Sequence, residues 1–167
     1  DPAAWAAAAA RALAALSIPP SKALLANALV EDGGSTYNCC ELLGTGQRQC
    51  KLSLTCAEVE AGLAPGRQQH IFEFDGARFA VLLCPDYDAT RAFSTDGVDF
   101  ALWISHVDRD AAAGALTAAE RFSQARGLRV FLSSLIADDN SGLSAYVDEG
   151  VQLSLPRREA ILEVILA

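Results

Sequence analysis

The stretch Ile71-Phe72-Glu73-Phe74-Asp75-Gly76-Ala77-Arg78-Phe79-Ala80-Val81-Leu82-Leu83-Cys84 decides the fold. Ile71 to Phe74 is a short β-type run, and Asp75-Gly76 is a dipeptide that two-residue hairpin turns favour because both turn positions need positive φ. Phe79 to Cys84 is then a continuous apolar run, the pattern of a strand buried on both faces. Downstream, Phe100 to Ser105 reads as another buried strand. Ala111 to Arg126 has helical periodicity, with Leu116, Ala119, Phe122 and Ala125 on one face, and Arg129 to Ile136 is a further strand. Strands that alternate with helices in the middle and pair as hairpins near the ends predict a mixed α/β sheet domain.

Upstream, residues 3 to 16 are strong helix formers around Trp5, Leu13 and Leu16, and Ile18-Pro19-Pro20 stops that helix. Ala23 to Val30, the turn Glu31-Asp32-Gly33-Gly34, and Thr36 to Leu43 read as strand, tight turn, strand, ended by Gly44-Thr45-Gly46. A further strand is expected over Cys50 to Leu54 and a loop over Glu58 to Gly66, closed by Pro65-Gly66. Ala89 to Thr95 suits a short helix and Asp138 to Gly142 a polar turn. Leu143 to Val147 pairs with Val151 to Leu155 around Asp148-Glu149-Gly150, and Ala160 to Leu166 is a closing strand.

The 167 residues support one domain, read as 1–167, with no internal repeat. A content of 51% hydrophobic and 20% charged residues excludes a disordered or fibrous chain. Thirteen basic against 21 acidic residues give a net charge of −8, and no basic run could track a phosphate backbone, so nucleic acid is not an expected partner. No apolar stretch reaches the roughly 18 to 20 residues that cross a bilayer, and the alanine-rich start lacks the basic flank of a signal peptide. A soluble, cytoplasmic protein without membrane association is the expectation. The chain begins at Asp1 and contains no Met, which implies an absent amino-terminal part or residues dropped from the sequence.

The candidate chemistry is confined to few residues. Cys39, Cys40, Cys50, Cys56 and Cys84 are five cysteines, an odd count that argues against a disulfide framework, and no C-x-x-C pair supports zinc. Neither metal nor cofactor is expected. Taken alone, a cysteine is more often a small buried apolar residue than a nucleophile. Cys84 differs by position, because it ends a buried strand at the carboxyl edge where α/β folds place their sites. A thiolate needs a base or cation beside it. His106 ends the next strand and Lys51 could stabilise an oxyanion, although a strand-end His is commonly a surface residue and a Lys commonly a solvated one.

In order, the segments resemble the carbon–nitrogen hydrolase (nitrilase) superfamily. Tyr37-Asn38-Cys39-Cys40-Glu41-Leu42-Leu43 is similar to the strand before its catalytic lysine, Gly46 to Leu54 to the segment carrying that lysine, and Glu60 to Gly66 to its acidic loop. Phe74-Asp75-Gly76 and Phe79 to Asp86 are similar to its hairpin and C-x-D motif, Gly97-Val98-Asp99-Phe100 to a later strand, and Gly142 to Gly150 to its late hairpin. The resemblance implies an α-β-β-α sandwich lacking its first strand-helix unit and a Glu-Lys-Cys triad. It implies Cys84 as nucleophile, Lys51 as charge stabiliser, and Glu60, with Glu58 as second choice, as the glutamate that positions lysine and substrate. It further implies hydrolysis of a small amide, carbamoyl or nitrile substrate through a thioester-type intermediate, without cofactor, in a homodimer or larger homo-oligomer.

Two departures stand against full catalysis. The family's general-base glutamate falls before the point where this sequence begins, and Glu31 matches a non-catalytic acid rather than that base. Pro85 follows the nucleophile, where the family uses a backbone N–H in its oxyanion hole, and proline has none. The alternative function is therefore a catalytically degenerate homologue acting as a binding or assembly module. An unrelated α/β domain in which Cys84 is only core is the third.

Overall fold

A computed structural model describes residues 25–84, 93–136, 141–148 and 151–157. The helix expected at 3–16 and the closing strand at 160–166 lie outside these residues, as do most of the short helix at 89–95 and most of the turn at 138–142. The described end of the former, Phe93 to Thr95, is in no helix.

Strands β1 (Leu25–Asp32), β2 (Ser35–Leu42) and β3 (Gln47–Cys50) form an antiparallel sheet in that order. Strands β4 (Ile71–Phe74), β5 (Ala77–Leu83), β6 (Phe100–Val107), β7 (Arg129–Ile136), β8 (Ser141–Val147) and β9 (Val151–Arg157) form the second sheet, also in chain order. β5, β6 and β7 run parallel, and the flanking pairs are antiparallel hairpins. The Asp75-Gly76 turn between β4 and β5 has φ of 50° and 80°, the positive pair its sequence called for.

Helix α1 (Cys56–Glu60) lies between β3 and β4, and α2 (Arg109–Arg126) crosses from β6 to β7. The Asp108 side chain accepts from the Ala111 N–H at the start of α2, and Gly127 closes its end at φ 59°.

Alternation along β5 builds three layers. Ala80 and Leu82 pack with Trp103, Val130 and Leu132 beneath Ala119 and Phe122 of α2. Phe79, Val81 and Leu83 face the other way, onto Cys40 and Leu42 of the small sheet. Both faces are closed from Phe79 to Leu83, so that run has no polar position, and Arg78 before it is exposed. Phe72, Phe79 and Phe100 are successive register partners across β4 to β6, and Phe131 and Tyr146 are partners across β7 and β8; Phe100 meets Phe131 diagonally, two residues along β7 from its own partner Arg129, so the five rings form an unbroken row with centroids 5.2–5.4 Å apart.

Three local expectations are corrected. The third strand ends at Cys50 instead of beginning there, because the tight turn after Leu42 sets Gln47 opposite it and starts pairing at once. The polar Gln47-Arg48-Gln49 hid this strand. The segment from Glu58 is not all loop, since α1 runs through Glu60 behind a Thr55 cap. Cys39 and Cys50 are disulfide-bonded, against the expectation from the odd cysteine count; they are direct partners in the β2–β3 register, and that juxtaposition is invisible in a count.

Candidate active site

Asn38 lies on β2 and Lys51 follows β3, and the Lys51 N–H donates to the Asn38 carbonyl at 2.8 Å. On its other side the Lys51 carbonyl accepts from the Gly66 N–H at 2.7 Å. The lysine is held by its backbone from two directions and only 2% exposed.

A buried ammonium demands a counter-charge. Lys51 Nζ donates to Glu58 Oε2 at 2.5 Å. That oxygen also accepts from the Thr55 N–H at 2.8 Å and the Thr55 hydroxyl at 3.0 Å, while Oε1 accepts from Asn38 Nδ2 at 2.9 Å. Thr55 and Glu58 form a capping box: the Thr55 hydroxyl accepts from the Glu58 N–H, and the Glu58 carboxylate closes on the Thr55 N–H. The cap that starts α1 thus aims the carboxylate at Lys51. Burial pushes the Glu58 carboxyl upward in pKa, but the hydrogen bonds from Lys51, Thr55 and Asn38 outweigh it and bring the value down to about 2.

Glu60, the glutamate favoured from the sequence, is exposed at the end of α1, and no hydrogen bond or ion pair joins it to Lys51. The glutamate that meets Lys51 is Glu58. The distinguishing signal was present in the sequence as Thr55-x-x-Glu58, the capping-box spacing. Asn38 and Thr55 are the partners that sequence reasoning left without a role.

Cys84 directly follows β5 with φ 51°, in the left-handed region. Among the described residues only Asp75, in its turn, shares this with Cys84 outside glycine. A side chain there costs about 1–3 kcal/mol and persists where surrounding contacts impose it. The Trp103 indole N–H donates to the Cys84 carbonyl at 3.2 Å, one such contact. The Cys84 thiol points to the His106 carbonyl oxygen at 3.8 Å. The contact uses the backbone of His106, whose residue is exposed, so a Cys84–imidazole pair is not formed. His70 lies elsewhere, against Phe72.

Cys84 opens into a cleft of about 770 Å³ between the sheet and α2, which it lines together with Thr55, Trp103, Ser105, Ala115 and Phe122. Thr55 therefore touches both halves of the site: its hydroxyl and N–H hold Glu58, and it shares the cleft with Cys84. The lining is mainly apolar, the usual character of a small-molecule site. Among the described residues no group of three His, Cys, Asp or Glu could hold a metal ion, and no helix is long and apolar enough to cross a membrane.

No family model and no curated protein matches the sequence. Solved structures do match. XC1258 from Xanthomonas campestris, a CN-hydrolase superfamily protein with an arsenic adduct in its active site, superimposes with a TM-score of 0.67 at 17% identity, over 82% of this chain and 59% of that one. A mutant amidase from Nesterenkonia sp. AN1, carrying the acetamide moiety of fluoroacetamide on its active-site cysteine, gives 0.74 at 19% identity, over 90% and 63%. Glutamine-dependent NAD+ synthetase from Acinetobacter baumannii gives 0.72 at 20%, over 89% and 32%. The chain spans between about a third and two thirds of the length of these structures. The arrangement of two stacked sheets with α2 outside the larger one is thus the layered α/β fold of the nitrilase, or CN-hydrolase, superfamily.

Proposed function

We propose that the protein is a cysteine-dependent hydrolase of non-peptide carbon–nitrogen bonds in small amides, carbamoyl compounds or nitriles. Cys84 sulfur adds to the carbonyl or nitrile carbon. With an amide, collapse of the adduct breaks the C–N bond, the amine leaves with a proton, and water hydrolyses the thioester to the acid and free thiol. The Lys51 ammonium stabilises the negative charge that develops on the substrate heteroatom. Glu58 holds that ammonium in place by its ion pair, the role first assigned to Glu60. Proton removal from Cys84 falls to a general base, the one role to which none of Asp1 to Ala167 is assigned.

The observation that carries this reading is the buried Lys51–Glu58 pair, fixed by Asn38 and Thr55 at a cleft that Thr55 shares with a left-handed Cys84. Self-association into a homodimer or larger assembly and a cytoplasmic setting belong to the same reading. The test is ammonia release from a panel of small amides and nitriles, with iodoacetamide labelling mapped by peptide mass. Cys84→Ala should abolish both the release and the labelling at that position; hydrolysis surviving in Cys84→Ala would refute the reading.

Pro85 favours a second reading, a degenerate homologue that binds or assembles without turnover, because a missing oxyanion donor costs about 100 to 1000-fold. Pro85→Ala separates the two. A gain of that order identifies a weakened hydrolase, and inactivity of both proteins on every substrate identifies the binding module.

A further inference from the structure

The Cys39–Cys50 disulfide lies at the wall of a second cleft, of about 510 Å³, lined also by Tyr37, Arg48, Arg67 and His70. This volume falls within the range of small-molecule sites. Its polar lining contrasts with the apolar cleft beside Cys84. Arg48 is neutralised by Glu41 at 2.7 Å, and Asp32 is the acidic group on the lining. Arg67 is exposed and has no ion pair among the described residues, and His70 Nε2 is buried without a hydrogen-bond partner there.

The disulfide's position in the chain matters as much as its cleft. Cys39 directly follows Asn38, and Cys50 directly precedes Lys51, the two residues that donate to opposite oxygens of Glu58. β3 has four residues and, among the described residues, pairs on one side only, so its end is tied to β2 by few backbone hydrogen bonds and by this one covalent link. We propose that the polar cleft is a thiol–disulfide exchange site for a low-molecular-mass thiol bearing carboxylates, and that reduction there releases Lys51 from its fixed place against Glu58.

Cys50 is half-buried whereas Cys39 is 1% exposed, so the incoming thiolate attacks the Cys50 sulfur. The Cys39–Cys50 bond breaks, its electron pair leaves on Cys39 sulfur, and that sulfur takes a proton from water. A second thiolate attacks the external sulfur of the mixed disulfide and frees Cys50. Two thiols are oxidised to one disulfide, and the protein gains two electrons and two protons. Arg67 receives a carboxylate of the thiol. Cys40, next in sequence, does not compete, because burial and then the Glu41 charge push its thiol up to about 12. In a cytoplasmic setting, an exchanging disulfide is also the expected kind.

The exchange itself does not depend on the hydrolase reading, and it is tested without substrate. The full chain is equilibrated in buffers of reduced and oxidised glutathione, quenched with an alkylating reagent, and mapped by peptide mass. Lys51 is followed in parallel with an amine-acylating reagent. The expected result is a two-electron transition of the Cys39–Cys50 pair with circular dichroism unchanged. A glutathione adduct should form on Cys50 in Cys39→Ser, and none on Cys39 in Cys50→Ser. Lys51 acylation should be about tenfold faster in the reduced protein, as local opening exposes the amine, and Arg67→Gln should slow reduction by glutathione but not by uncharged mercaptoethanol. A disulfide reduced only with denaturation, or Lys51 labelling equal in the two states, overturns the proposal. The wild-type titration decides this even where a serine variant fails to fold.

Discussion

Glu58→Gln removes one charge from the Asn38–Glu58–Lys51–Thr55 network while keeping its shape. The carboxyl is 17% exposed, and its fall from an ordinary 4.5 to about 2 corresponds to about 3 kcal/mol of stability at neutral pH. The sign follows from which state takes the proton first. Between pH 4.5 and 2 the unfolded chain protonates Glu58 before the native one does, so the contribution is whole above 4.5 and lost as the pH falls through about 2. In Glu58→Gln that contribution is absent at every pH, and Lys51 is left buried without its counter-charge, a change that costs about 3–5 kcal/mol when one partner of a buried pair is removed. Urea unfolding followed by tryptophan fluorescence, at pH values from 7 down to 2, measures the gap between the two proteins. It should be about 3 kcal/mol or more at pH 7 and shrink steadily below pH 4.5. A gap of equal size at pH 7 and pH 2 would refute the reasoning, since the loss would then come from packing and not from charge.

Cys84→Gly should raise stability by about 1 kcal/mol, because glycine adopts the left-handed φ of 51° without the side-chain penalty; a lower melting temperature than wild type would contradict the strain assigned to this position. Gly66→Ala should destabilise by about 1–3 kcal/mol, since a Cβ there would lie 2.5 Å from the Cys50 carbonyl oxygen and push on the backbone that carries Lys51. Gly114→Ala on α2 meets nothing within 4 Å and should stabilise by up to about 1 kcal/mol, so thermal melts of the two alanine variants must move in opposite directions.

The parts of the fold legible in the sequence are those whose signal is local. The Asp75-Gly76 hairpin, β6, α2 and β7 were readable because turn chemistry, apolar runs and helical periodicity act within a few residues. β3 was not, because Gln47, Arg48 and Gln49 are polar and become a strand only by pairing with β2. α1 spans five residues, too few for periodicity, so its one local sign was the Thr55–Glu58 cap. The same oversight left Glu58 second to Glu60 as the glutamate expected beside Lys51, the residue it meets. Lys51 and Cys84 were readable as candidates by position and resemblance, but the ion pair and the Cys39–Cys50 bond depend on register, which composition does not encode.

The aromatic row from Phe72 to Tyr146 works as a ruler for the larger sheet. Phe72, Phe79 and Phe100 meet as direct register partners and so do Phe131 and Tyr146, while Phe100 reaches Phe131 across a two-residue step, so each contact holds only at one alignment of its two strands and the row pins the register across five strands. Cys84 lies five residues beyond Phe79, and distance along a strand is a matter of counting. Side chains alternate between faces, so a slip of β5 by one residue would turn Leu82 toward the small sheet, thrust Phe79 under α2, and carry the thiol to the opposite side from its cleft. Placement of the sulfur is therefore guarded from a distance, by rings that never touch it.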